Sequence, residues 1–208
     1  MLQTKDLSFN YANGPRFSFP DLNIGPSEVL LILGRSGSGK TTLLHLLAGL
    51  MEPNVGSVII DGKSLSELKG KNRDHFRGRN IGMVFQQAQF IRSISVMQNL
   101  QLARSLAGLK NDEAFANELL SELGIGNKAN NGPNQLSIGE RQRAGIARAL
   151  ITRPKVVLAD EPTSALDDEN CDLVAELLQK TVTGHGAALI IVTHDQRLKN
   201  RFTNSVEL

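Results

Sequence analysis

The octapeptide Gly34-Arg35-Ser36-Gly37-Ser38-Gly39-Lys40-Thr41 joins an apolar run, Val29 to Leu33, to a stretch with helical spacing, Leu43 to Leu50. Strand, glycine-rich turn and helix in that order make a phosphate-binding loop and imply an α/β fold of the P-loop type. Glycines let the backbone curl so that successive N–H groups point at phosphate oxygens, while the positive end of the following helix adds a favourable field. Lys40 reaches the β- and γ-phosphates as a point charge, and the Thr41 hydroxyl takes one coordination position on Mg²⁺. The expected nucleotide-contacting set is Gly34, Arg35, Ser36, Gly37, Ser38, Gly39, Lys40, Thr41 and Thr42. A glycine turn without a ligand is the bland alternative, and the flanking pattern disfavours it.

Composition narrows the partners. With 208 residues and 40% hydrophobic content the chain can build one large core, so one domain spanning 1–208 is expected. The 23 basic and 21 acidic residues leave +2, too small an excess for a general nucleic-acid surface or strong attraction to anionic membranes. The basic stretch Arg73 to Arg79 reads as a solvated loop or helix edge. Cys171 is the only cysteine, which excludes an internal disulfide and a multi-cysteine zinc site and fits a reducing cytosolic setting. Leu173, Val174, Leu177 and Leu178 near it have helical spacing, so it is expected as a packed or surface thiol. Met1 to Asn10 lacks a signal-peptide layout, and the apolar runs fall short of the roughly 18 residues of a membrane span. The chain cannot form a transport path alone, and the short stretch after His194 leaves no room for a C-terminal regulatory domain.

Residues 1–25, broken at Asn13-Gly14-Pro15 and Gly25-Pro26, and Val55 to Asp61 read as an antiparallel β layer. Val29 to Leu33, Ile81 to Phe85, Val156 to Ala159 and Ala188 to Val192 read as buried, largely parallel strands of a central sheet. Apolar residues recur near helical spacing between Gln98 and Gly124, interrupted at Gly108, so a helical subdomain at roughly 88–150 is inserted in the core.

Two further motifs carry chemistry. The strand Val156 to Ala159 ends in Asp160-Glu161, as expected at the carboxyl edge of a parallel sheet beside a phosphate loop. Asp160 would orient Mg²⁺, and Glu161 would polarise a water for in-line attack on the γ-phosphate. Ser137 and Glu140 at a helix start have the form of a capping box, which accounts for the serine without a ligand. The alternative is that the same helix start presents a nest for a γ-phosphate.

The phosphate loop, the strand ending in Asp160-Glu161, and LSIGERQRAGIARAL (Leu136 to Leu150) together resemble the ATP-binding cassette ATPases. Ser164-Ala165-Leu166-Asp167 resembles that family's D-loop, His194 its H-loop and Gln86 its Q-loop. The resemblance implies a RecA-like, mainly parallel sheet with an antiparallel β subdomain and a helical signature subdomain. It also implies two ATPs sandwiched between head-to-tail copies, so that Ser137 and Gly139 of one copy touch the γ-phosphate held by Lys40 of the other, with Asp167 beside the nucleotide. His194 would hydrogen-bond the γ-phosphate, and Gln86 would bridge the Mg²⁺ or water to the partner-facing subdomain. Tyr11 lies where the family stacks an aromatic on adenine, with Phe9, Phe17 and a plain β-core role left open. Ile138 stands where the signature has glycine, and Glu140 where it has glutamine. A branched side chain there implies a looser ATP-bound dimer.

Separate cassettes of this kind serve membrane permeases, so the implied partners are a second copy of the chain and separate permease subunits. The implied place is the cytoplasmic face of the inner membrane, with attachment only through the permease. FRGRNIGMVFQQ (Phe76 to Gln87) and GERQR (Gly139 to Arg143) look most like the lipoprotein-release, macrolide-export and cell-division group, implying lipid-linked, peptide or drug-like cargo, or force transmission. The alternative class is a nucleic-acid-associated cassette of repair or chromosome organisation. Its long insertions are missing between the phosphate loop and Leu136, and no nucleic acid is expected as a partner.

Overall fold

The computed structural model describes residues 1–12, 14–163 and 168–208. Asn13 of the expected turn and Ser164 to Asp167 therefore lie outside the described residues. Along the chain run β1 (Leu2–Asn10), β2 (Arg16–Ser18), β3 (Asn23–Ile24), β4 (Val29–Leu33), α1 (Lys40–Leu47), β5 (Val55–Ile60), β6 (Lys63–Ser64) and α2 (Gly70–Asn80). They continue with β7 (Ile81–Val84), α3 (Val96–Leu106), α4 (Glu113–Glu122), α5 (Ile138–Leu150), β8 (Val156–Asp160), α6 (Asp168–Gly184), β9 (Ala188–Thr193) and β10 (Ser205–Glu207).

Two sheets result. The first is antiparallel, in the order β2-β1-β5-β6 with β3 also on β1, as expected for residues 1–25 and Val55 to Asp61. Its register slips between Lys5 and Ser8, where Gly56 of β5 adopts φ 88° and a Cβ would sit 2.3 Å from the Lys5 carbonyl. Only glycine admits that approach.

The second sheet is parallel, in the order β10-β4-β9-β8-β7. Its inner strands are unbroken apolar runs because both faces are covered. Alternate residues serve two different cores. Leu31, Leu33, Val157, Ala159, Leu189 and Ile191 pack with α3, α4, α5 and α6. Leu30, Ile32, Val156, Leu158, Ile190 and Val192 pack with α1 and the antiparallel layer.

The helical region breaks at Gly108 and Gly124, both at positive φ, where the interruptions were expected. The basic stretch lies on α2, which has no buried residue. Its arginines are nevertheless engaged: Arg73 pairs with Glu52, Arg77 donates to the Ala48 carbonyl, and Arg79 donates to the carbonyls of Ala107 and Gly108. Cys171 is fully buried on α6, a packed thiol. β10 extends the expected four-strand sheet by one edge strand, pairing parallel with β4.

Candidate nucleotide-binding and hydrolysis site

The carboxyl ends of β4, β8 and β9 meet at one edge, and the phosphate loop leaves the first of them. Gly39 caps α1 at φ 98°, where a Cβ would lie 2.6 Å from the Phe17 ring. No side chain caps α1 and its first turn holds no acidic residue. Its N–H groups are left for an anion. The Ser38 hydroxyl is buried in the same loop without a hydrogen-bond partner. Lys40 Nζ lies along the loop, donating to the carbonyls of Gly34 at 2.8 Å and Arg35 at 2.9 Å. An orphaned hydroxyl, an uncapped helix start and a lysine folded over them fit a polyphosphate chain.

Residues 34–37 and 39–42 of the loop line a cavity of about 900 Å³ with Tyr11, Phe17, Glu161 and His194. The Tyr11 hydroxyl lies 3.0 Å from Thr42 Oγ1, and its ring stands edge-on to Phe9 and Phe17 at 4.9 and 6.3 Å. Tyr11 is 43% exposed, so it is not a β-core aromatic.

The two acids after β8 differ in environment. Burial, and then the charge of Glu161, raise the Asp160 carboxyl above its ordinary value, while His45 and Lys40 pull the other way. Glu161 has φ 47° and carries its carboxylate across to the end of β9. There Thr193 Oγ1 donates to Oε2 at 2.6 Å, and the His194 backbone N–H donates to Oε1 at 3.1 Å. His194 Nδ1 lies 2.7 Å from the same Oε1. Sequence reasoning placed His194 on the γ-phosphate; the structure also binds it to Glu161.

Gln86 follows β7, whose Val84 pairs with Ala159 of β8, so it stands at the level of Asp160 and Glu161. Among the described residues no three His, Cys, Asp or Glu side chains gather to cage a metal. The oxygen donors available, the Thr41 hydroxyl, the Asp160 carboxylate and the Gln86 amide, fit Mg²⁺, which uses few protein ligands beside phosphate oxygens and water.

Ser137 and Gly139 are not brought to this cavity. They begin α5, where Ser137 Oγ accepts from the Glu140 N–H at 3.2 Å and Glu140 Oε2 accepts from the Ser137 N–H at 2.8 Å. The capping box is thus formed. Because Ser137 Oγ accepts within it, the hydroxyl proton is left to donate outward, so cap and phosphate ligand are compatible roles. The Ser137 N–H, and then Lys128 at 3.2 Å, hold the Glu140 carboxyl below its ordinary value. Ile138 projects from this helix start, 72% exposed. Asp167 lies outside the described residues.

Five supporting residues, Thr193, Gln142, Asp195, Arg197 and Thr163, escaped sequence reasoning. Thr193 bonds Glu161, as above. Gln142 of α5, buried, donates from Nε2 to the Pro162 carbonyl at 3.3 Å, one residue past Glu161. Asp195 accepts from Arg197 NH2 at 2.7 Å and from Thr163 Oγ1 at 3.2 Å, and the Arg197 guanidinium holds its carboxyl down at about 2. A glutamine inside a helix pattern or a threonine ending a strand gives no signal of such a partner.

Residues 19–164 match the family described as ABC transporter. The chain is 42% identical over 180 residues to the lipoprotein-releasing system ATP-binding protein LolD of Bacteroides thetaiotaomicron, covering 86% of this chain and 83% of that protein. To the protein of the same name from Syntrophotalea carbinolica it is 38% identical over 204 residues, covering 95% and 90%. Among solved structures, the dimeric post-hydrolysis state of the ATP-binding cassette MJ0796 bound to ADP and Pi matches with TM-score 0.86 at 32% identity, covering 100% of this chain and 94% of that one. The family match spans the phosphate loop, the α5 start and the paired acids, and the chain belongs to the ABC transporter family as an ATP-binding, ATP-hydrolysing subunit.

Proposed function

We propose that this chain is one cassette spanning 1–208, with a helical subdomain at 88–150, that hydrolyses MgATP between two head-to-tail copies of itself to drive a separate membrane permease. The observation that carries the catalytic part is the single cavity that the phosphate loop shares with Glu161 and His194. Lys40 and the loop N–H groups of 34–42 hold the phosphates, and Tyr11 stacks on the base. Thr41, Asp160 and Gln86 would hold Mg²⁺, which when bound would supply positive charge beside the phosphate oxygens. Glu161 aligns the attacking water and accepts its proton. His194 donates from Nε2 to the γ-phosphate while its Nδ1 side bonds Glu161. Ser137 and Gly139 of the second copy, with Asp167, close the site from across the interface.

The partner surface is a groove of about 720 Å³ between α2, α3 and the segment after β7, whose lining includes Leu50, Phe85, Phe90, Ile91, Leu106 and Arg148. Leu50, Ile91 and Leu106 are exposed there, and Arg148 lies over the Phe90 ring at 5.0 Å. An apolar groove edged by Asp74, Arg77 and Arg148 suits a short amphipathic permease helix. No helix among the described residues is long and apolar enough to cross a membrane. Attachment through the permease would place the chain at the cytoplasmic face of the inner membrane. The two relatives named for lipoprotein release point to lipid-linked cargo. Ile91→Asp with Leu106→Asp should abolish stimulation of ATPase activity by the reconstituted permease and leave basal hydrolysis within about twofold. Equal loss in both assays would refute the docking surface.

A further inference from the structure

We propose that Thr193 is a positioning residue for hydrolysis, fixing the carboxylate of Glu161 through its hydroxyl; this rests on the reading of Glu161 as the water-activating group. The geometry sets the direction of the bond. Thr193 Oγ1 accepts from the Asp195 backbone N–H at 3.0 Å, so its single proton is directed to Glu161 Oε2, at 2.6 Å. The other oxygen, Oε1, faces the His194 ring, and the His194 N–H is shared between the two oxygens, at 3.1 Å from Oε1 and 3.3 Å from Oε2. The carboxylate plane is thereby held from two sides, and its orientation no longer depends on the three rotatable bonds of the side chain.

The support is rigid. Thr193 is fully buried and ends β9, whose pairing of Val192 with Asp160 brings Thr193 opposite Glu161. Asp195 is anchored in turn by Arg197 and Thr163. Glu161, at φ 47°, needs such a clamp because its backbone conformation is one that side-chain-bearing residues rarely keep unaided.

The test compares Thr193→Val, Thr193→Ser and Glu161→Gln in steady-state ATPase assays and in fluorescent-ATP binding. Glu161→Gln should lower kcat by about 100-fold or more. Thr193→Val should lower kcat about 10- to 100-fold while KM and the ATP dissociation constant stay within about twofold, and Thr193→Ser should restore most of the rate. If the valine variant does not fold, Thr193→Cys, whose thiol is a weak donor, takes its place with the same expectations. A parental kcat in the valine or cysteine variant beside an impaired Glu161→Gln overturns the role of Thr193 alone. So does joint loss of kcat and ATP affinity that serine fails to rescue, the mark of a purely structural residue. An unimpaired Glu161→Gln overturns the reading of Glu161 itself.

Discussion

Replacing Gln142 by leucine tests whether α5 and the hydrolytic segment are mechanically joined. Gln142 is 6% exposed, and its one described bond reaches the buried Pro162 carbonyl at 3.3 Å, the long end for a neutral hydrogen bond. Such a bond contributes about 0.5–1.5 kcal/mol net, and stranding the carbonyl away from water raises the cost to about 1–3 kcal/mol. Leucine fills a similar volume and recovers part of this by apolar burial. The balance is a loss of about 1–2 kcal/mol. For a chain of this size each kcal/mol moves Tm by about 2–4 °C, so scanning calorimetry should show a fall of about 2–8 °C. Gln142→Glu, which puts a charge in the same buried place, should fall further. Pro162 follows Glu161 directly, so kcat of the leucine variant should also drop at temperatures where it is fully folded. A Tm within about 1 °C of the parent, with kcat unchanged, would refute the argument.

Two other outcomes follow from charge and shape. Asp195, held at about 2 by Arg197 against an ordinary 3.8, gives stability that is complete above about pH 4 and lost as pH falls through 2. Asp195→Asn should therefore cost on the order of 1 kcal/mol in urea unfolding at pH 7, after discounting for the partly exposed Arg197, and the gap should close between pH 4 and 2; a constant gap would contradict it. Ile138→Gly, at the 72%-exposed start of α5, should raise the dimer fraction of a Glu161→Gln chain in MgATP, at a helix cost of up to about 1 kcal/mol. Equal dimer fractions on sizing would sink the idea that Ile138 loosens the interface.

What was legible in the sequence was local. The phosphate loop, the strand ending in Asp160 and the capping box of Ser137 and Glu140 each draw on residues within a few positions, where spacing alone fixes geometry. β10 was not legible, because Ser205-Val206-Glu207 has no apolar periodicity and forms by backbone pairing along the edge of β4. The clamp on Glu161 was not legible either. It joins residues 32 and 33 positions apart and depends on the register that sets Asp160 beside Val192, a property of two strands rather than of either. Tyr11 lay between: sequence put it at the adenine with Phe9 and Phe17 left open, and its bond to Thr42 and its place beside Phe17 on the cavity lining come only from the fold.

In the proposed dimer the same register would let one site report on its neighbour. Gln142 stands five residues beyond Ser137 on α5, about 7.5 Å along the helix axis. A load on Ser137 from a nucleotide held by the second copy would reach Pro162 through that helix and the Gln142 amide, and Glu161 through the adjoining peptide. From Glu161 the path enters β9 by Thr193 and returns to Thr163 through Asp195. Every link in this route is a short backbone connection or a buried or part-buried hydrogen bond made by the side chains of Gln142, Glu161, Thr193 and Asp195. In the proposed dimer the closing of one site therefore bears on the water-aligning carboxylate of the other, and Gln142 and Thr193 are the two points at which that connection can be cut without touching the nucleotide.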